Sequence, residues 1–316
     1  MIAATASEAV PTVSIVLATC NRLSLLRLAV DSVLAQTYTA WELIIADDGS
    51  EQATRDYLRE LHSSRVQVFW LEHCGNPGTV RNAALARARG TYVAFMDSDD
   101  LWMPTKLERQ IAALRAAPGR RWSYTAYDCI DGNGDALAIR WAPHDGEIFG
   151  SLLRAEAMVA LPTVMAERAL LHETGGFDPD QLQAEDIDLW LRMALRSDVL
   201  VLDRVLTRVR FHQDHYCRGG TWGLSWLRRL YEKIERLAPD APRRALARRA
   251  RTWNAARLMR AHAAAHDWRS LAAIARDSWD ISWRSLYWWR SLAMAMARLL
   301  MPDRWLRGTR RIGQTA

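Results

Sequence analysis

Tyr92-Val93-Ala94-Phe95-Met96-Asp97-Ser98-Asp99-Asp100 is an apolar run that ends in three carboxylates. A short apolar segment bounded by a turn reads as a buried strand. Carboxylates packed so closely repel one another unless a cation neutralises them. A divalent metal, held by one or two of them and completed by phosphate oxygens and water, is the usual solution. A solvated turn with Asp99 or Asp100 capping the next helix would use the same residues.

Upstream of this run, residues 13–17, 43–46 and 66–71 are further β-branched, strand-like segments. Residues 23–35, 52–62 and 79–89 separate them with helical spacing of apolar side chains. Strands alternating with crossover helices predict βαβ units and a mainly parallel, Rossmann-like α/β sheet flanked by helices. Ligands in such sheets bind beyond the carboxyl ends of the strands. The segments there are 18–22, 47–50, 74–81 and 97–102. Downstream, a helix is predicted from Pro104 to 116, a strand over 122–130, a hairpin-like turn at 131–134, a helix over 185–196 and a strand over 205–211.

Half of the 316 residues are apolar, enough for a full core, which excludes global disorder. Cys20, Cys74, Cys129 and Cys217 lie far apart with no CxxC pair, which predicts reduced thiols in a cytoplasmic protein. Residues 1–10 have neither the basic start nor the apolar centre of a secretion signal and read as a tail. The net charge of +6 is unevenly spread: residues 1–220 carry 22 basic against 29 acidic side chains, and residues 221–316 carry 20 against 7. Beyond Gly219-Gly220 the chain turns to Ala, Arg and Trp at helical spacing. The expected domains are therefore 11–219 and a basic helical extension, 220–316. That extension holds nine of the fifteen tryptophans, and its apolar stretch 292–301 is interrupted by Arg298. It falls short of the roughly 20 residues that span a bilayer. Tryptophan with arginine suits the headgroup layer of an anionic membrane. A helical bundle with buried tryptophans and solvated arginines would have the same composition. No nucleic-acid-binding module accompanies the basic charge.

Several strand-end residues have two readings. Asp47-Asp48 before Gly49-Ser50 suits a tight turn, or a carboxylate that accepts hydrogen bonds from a nucleoside. Gly75, Pro77 and Gly78 followed by Arg81 form an ordinary loop, or set backbone amides and a guanidinium toward a diphosphate. Glu185 and Asp186 open a helix, where carboxylates complement the dipole. One placed beside a bound sugar could act as general base. His212 and His215 follow the last strand as structural histidines or as ligands beside carboxylates.

In this order the segments resemble glycosyltransferase family 2, over about residues 13–212. Val13-Ser14-Ile15-Val16-Leu17-Ala18-Thr19-Cys20-Asn21-Arg22 is similar to the family's first strand and nucleotide-contacting loop, which includes Thr19 and Asn21. Gln36-Thr37-Tyr38, with Trp41-Glu42-Leu43-Ile44-Ile45-Ala46-Asp47-Asp48-Gly49-Ser50, is similar to its second block. The resemblance implies a GT-A fold and a nucleoside-diphosphate-sugar donor, probed at the base by Asp48 and at the diphosphate by Arg81 and Asn82. It also implies that Asp97-Ser98-Asp99 is the DxD motif for Mn or Mg. Gly175-Gly176-Phe177-Asp178 becomes an acceptor-side loop, Asp186 the catalytic base and His212 a further metal or phosphate contact.

The chain departs from the family where Ala18 replaces a common proline and Cys20 a common tyrosine, which leaves the donor base open. It has no QxxRW motif at the spacing of processive synthases: Asp303-Arg304-Trp305 comes too late, with Met301 in place of Gln. The implied activity is inverting, metal-dependent transfer of one sugar, UDP-linked by family habit, to a hydroxyl of a glycan or lipid-linked acceptor in cell-surface polysaccharide synthesis. Its place would be the cytoplasm, peripheral to the inner face of the membrane. A nucleotidyltransferase would open with a Gly-rich loop where Ala18–Arg22 stands, and a dehydrogenase would carry GxGxxG. A non-catalytic nucleotide-sugar or glycan-binding protein would bind donor without transferring it.

Overall fold

The computed structural model describes residues 10–141, 144–211 and 221–300. The chain forms two compact units, Met1–His215 and Tyr216–Ala316. In the first, the chain order is β1 (Val13–Thr19), α1 (Leu23–Leu34), β2 (Trp41–Asp48), α2 (Gln52–Arg59), β3 (Val66–Leu71), α3 (Pro77–Leu85) and β4 (Tyr92–Asp97). Next come β5 (Leu101–Trp102), α4 (Lys106–Ala116), β6 (Trp122–Ile130), β7 (Ala136–Trp141) and α5 (Phe149–Leu153). The unit closes with β8 (Met165–Glu167), α6 (Arg168–Thr174), α7 (Glu185–Ala194) and β9 (Val199–Arg210).

The nine strands among the described residues belong to one sheet, ordered β3-β2-β1-β4-β8-β6-β9-β5, with β7 paired to β6. The first four are parallel, as the alternating pattern predicts. Beyond β4 the sheet is mixed, because the short β8 enters antiparallel between β4 and β6 while β9 runs parallel to β6. Central strands covered on both faces need apolar side chains on both. Every residue of β2 is buried, and all of β1 except Ala18. α1 covers one face with Leu26, Ala29, Val30 and Val33, the spacing of a single helical stripe. At the amino ends of the strands, Ser14 Oγ donates to buried Glu42 at 2.6 Å, and Arg89 closes the network through its backbone N–H and its guanidinium.

The second unit comprises α8 (Thr221–Leu237), α9 (Ala241–Ala264), α10 (Trp268–Asp277), α11 (Trp279–Ser282) and α12 (Leu286–Leu300), as its helical periodicity predicts. Its core gathers Ala256, Leu258, Met259 and Leu271 around Trp288, whose indole N–H donates to Ser278 Oγ at 2.9 Å. No described helix is long and apolar enough to cross a membrane.

Candidate active site

Sheet register sets the site. Thr19 pairs with Asp47 across β1 and β2, and Ala18 with Asp97 across β1 and β4, so the carboxyl ends of three strands lie in a row. Thr19 and Asp47 are buried, yet Thr19 Oγ1 and one oxygen of Asp47 have no hydrogen-bond partner among the described residues. Unsatisfied buried polar atoms are costly, and their clustering marks a place shaped for something else.

Around them the loops are tightly tied. Asp48 accepts from the backbone N–H groups of Cys74 at 2.7 Å and Gly75 at 3.0 Å. His73 Nδ1 lies 3.0 Å from an Asp48 carboxylate oxygen and 3.9 Å from Cys20 Sγ. Gly49 has φ +71°, and a Cβ there would stand 2.8 Å from that of His73, so only glycine lets the loops close. Asn21, also left-handed at φ +59°, donates its backbone N–H to Ser50 Oγ, and its side-chain oxygen accepts from Glu51 N. Its side chain therefore fixes the loop in this structure.

Arg81 carries the other end of the site. Asn76 caps α3 by accepting from Thr79 N–H, and Asn82 exchanges hydrogen bonds with both backbone groups of Phe177, which anchors the helix to the Gly175-Gly176 loop. Held in this way, Arg81 donates to Asp97 Oδ1 and to Glu185 Oε1, each at 2.8 Å. One guanidinium thus joins the carboxyl end of β4 to the first turn of α7. Asp99 pairs with Arg22 at 2.6 Å, and Asp100 accepts from the backbone N–H of Arg210.

The carboxylates at this end of the sheet also act on one another electrostatically. Burial pushes the Asp97 carboxyl up, offset by Arg81 and reinforced by Asp99. Asp100 rises well above the usual carboxylate range through burial, then Asp99 and Asp97. Asp186, part-buried, reaches about 7 through burial and then the Glu185 charge, against a backbone hydrogen bond from Ile187 and the Arg81 charge. Buried Tyr127 on β6, raised first by burial, feels both Asp100 and Asp186.

The structure therefore gathers Thr19, Asn21, Asp48, Arg81, Asp97, Asp99 and Asp186 at one end of the sheet. His212 and His215 lie outside the described residues. Sequence reasoning gave Arg22 no link to Asp99 and Glu185 none to Arg81. Those partners are 77 and 104 residues apart. The clue available was an arginine inside the first turns of α3.

Comparison with known proteins adds an independent line. The model of the family described as Glycosyl transferase family 2 matches residues 14–137. The Escherichia coli UDP-Glc:alpha-D-GlcNAc-diphosphoundecaprenol beta-1,3-glucosyltransferase WfgD is 30% identical over 191 residues, 60% of this chain and 73% of that protein. The putative teichuronic acid biosynthesis glycosyltransferase TuaG of Bacillus subtilis is 32% identical over 186 residues, 58% of this chain and 72% of its own length. An uncharacterized glycosyltransferase of Rickettsia bellii is 30% identical over 206 residues, 64% of this chain, and this match spans 29% of that protein. Among solved structures, S. aureus TarS 1-349 in complex with UDP-GlcNAc superposes with a TM-score of 0.61 at 18% identity, over 93% of this chain and 82% of that one. The mannosyltransferase PcManGT of Pyrobaculum calidifontis, in complex with GDP-Man and Mn2+, gives 0.58 at 20% identity over 92% and 86%. At such identities the two structures establish the fold alone.

Proposed function

This chain belongs to glycosyl transferase family 2, and from that premise we propose that it moves one sugar from a nucleoside-diphosphate donor to a hydroxyl acceptor with inversion. The observation that carries the reading is Arg81, which holds Asp97 and Glu185 at 2.8 Å each and so ties the first turn of α7, where Asp186 stands, to the end of β4. We assign the chemistry to residues 11–219 and peripheral membrane contact to 220–316.

In this reading Thr19, Asn21 and Asp48 receive the nucleoside. Thr19 Oγ1 and the unpaired Asp47 oxygen supply buried polar atoms that a base or ribose would satisfy. Arg81 faces the diphosphate. Asp97 and Asp99, with His212, are the residues that would hold a divalent metal. The donor set fits a hard cation: Asp97 and Asp99 offer carboxylate oxygen, and Asp97 is pushed up by burial and by Asp99 despite Arg81. When bound there, Mn or Mg neutralises charge developing on the departing diphosphate. Asp186 accepts the acceptor hydroxyl's proton as that oxygen attacks the anomeric carbon from the opposite face. A carboxyl near 7 is well matched to that task at neutral pH. UDP-linked donors and a lipid-linked acceptor are favoured by the similarity to the UDP-Glc-dependent glucosyltransferase WfgD, and cell-surface glycan assembly by WfgD and TuaG together.

A panel of nucleotide sugars, assayed for Mn2+-dependent donor hydrolysis without acceptor, tests the proposal. Hydrolysis of one donor that stops on adding EDTA is expected. Donor binding with no turnover, with or without metal, would identify a binding protein instead.

A further inference from the structure

At the base-receiving end Asp48 is joined by two donors, Cys20 and His73, to which sugar transfer assigns no role. Cys20 Sγ, an Asp48 carboxylate oxygen and His73 Nδ1 all lie within 4.8 Å of one another. The Nδ1 is 3.0 Å from Asp48 Oδ2 and 3.9 Å from Cys20 Sγ. Around a tetrahedral zinc ion, with bonds of roughly 2.0–2.3 Å, ligand atoms stand about 3.3–3.8 Å apart. The three atoms are therefore within a small side-chain adjustment of that spacing.

Their chemistry also differs from the Asp97 and Asp99 carboxylates. Thiolate and imidazole favour a borderline-soft cation, whereas Mn and Mg prefer oxygen. The His73 side chain is 63% exposed and Cys20 is half-buried, so an ion has a path in, and the open side leaves room for water as a fourth ligand. Partial burial, then the Asp48 and Asp47 carboxylates, keep the Cys20 thiol protonated. An arriving Zn2+ displaces that proton to solvent and forms a Zn–S bond with the thiolate, while the proton that His73 Nδ1 holds toward the Asp48 backbone oxygen at 3.0 Å passes to Nε2 and frees Nδ1 as a ligand.

We propose that Cys20, Asp48 and His73 form a zinc-class site at the mouth of the nucleotide pocket, and that an ion bound there and the donor nucleotide exclude each other. The exclusion rests on the reading that Asp48 contacts the donor base; the metal site itself does not. Hard cations would support the enzyme while Zn2+ shuts it, through separate residues.

Titration of the full chain with Co2+ in excess Mg2+ separates the two parts, because a thiolate-to-cobalt charge-transfer band reports cysteine ligation without any sugar or nucleotide. The band is expected in the wild type and in Cys74→Ser. Cys20→Ser and His73→Gln should each weaken Co2+ binding more than about tenfold. His73→Gln alters an exposed side chain, so its loss cannot be put down to misfolding once circular dichroism is unchanged. Saturating UDP or GDP should bleach the wild-type band. No band, or a band that survives both substitutions, overturns the site. A band lost in both variants but untouched by either nucleotide overturns the exclusion, and the donor-hydrolysis panel stands apart from all three results.

Discussion

Replacing Arg81 with methionine would remove one guanidinium from between Asp97 and Glu185 and leave two largely buried carboxylates without it. Breaking a buried ion pair from one side costs on the order of 3 kcal/mol, so the urea midpoint of Arg81→Met should fall substantially. Arg81→Lys keeps the charge but has no fork to reach both partners at 2.8 Å, and should stay less stable than wild type. Asp186 tests the chemistry. Asp186→Asn should lower turnover roughly 10²–10⁴-fold with little change in donor KM. With the carboxyl held at about 7 and required as the base, wild-type kcat/KM should drop as pH falls below 7, and that acidic limb should vanish in the variant. Stability should move the other way. Between a free carboxylate pKa of ~3.9 and the folded value, the native state holds the proton that the unfolded state has lost, so stability declines as pH rises through that window. Asp186→Asn should therefore melt above wild type at pH 8, a sign that the site is held at a cost to the fold.

At the level of elements, α4 buries a lysine with no ionic partner among the described residues. Lys106 is fully buried, donates to Gln110 at 2.5 Å and stacks over Trp102 at 4.3 Å, and desolvation lowers its pKa well below the ordinary lysine value. Between that lowered value and ~10.4 the unfolded chain binds the proton that the native chain does not, so stability should rise with pH across the window. Lys106→Met, of similar volume, should melt higher at pH 7 and flatten that slope, as thermal scans at several pH values would read.

The same scale shows what the sequence could carry. β1, β2 and β4 were legible because burial on both faces demands continuous apolar runs, and their carboxyl ends because the runs stop at Thr19, Asp48 and Asp97. β8 was not legible: three residues give no period, and its place between β4 and β6 follows from packing far along the chain. The lone strand foreseen over 205–211 is the end of a longer β9 starting at Val199, whose early residues alternate too weakly to announce themselves. Arg22 with Asp99 and Arg81 with Glu185 required the fold, since no local pattern pairs residues across such separations.

Across the whole chain, charge and aromatic surface are segregated. The first 220 residues are acidic on balance and the remainder carries 20 basic side chains against 7 acidic. Helix α12 buries Trp288, Ser291 and Ala295 on one stripe. Its outward side carries Leu286, Trp289, Ala293, Met296 and Ala297, apolar apart from Arg290, with Leu286 83% exposed. Trp283 is exposed beside Arg284, whose guanidinium sits 4.6 Å above its ring. A bundle stabilised only by internal packing would place polar residues on that outer stripe. Apolar surface rimmed by arginine instead matches the headgroup layer of an anionic bilayer. Co-sedimentation of the full chain should show binding to vesicles containing phosphatidylglycerol, weak binding to pure phosphatidylcholine, and loss as salt screens the arginines. Replacing Trp283, Leu286 and Trp289 together by alanine should cut partitioning at least about tenfold at unchanged helicity, because the insertion energy resides in their area. Trp288→Ala should do the reverse, lowering the melting temperature through a cavity worth roughly 3–5 kcal/mol, since its indole fills the core and bonds Ser278. Equal partitioning of the triple variant and wild type would show that the outer stripe serves something other than lipid.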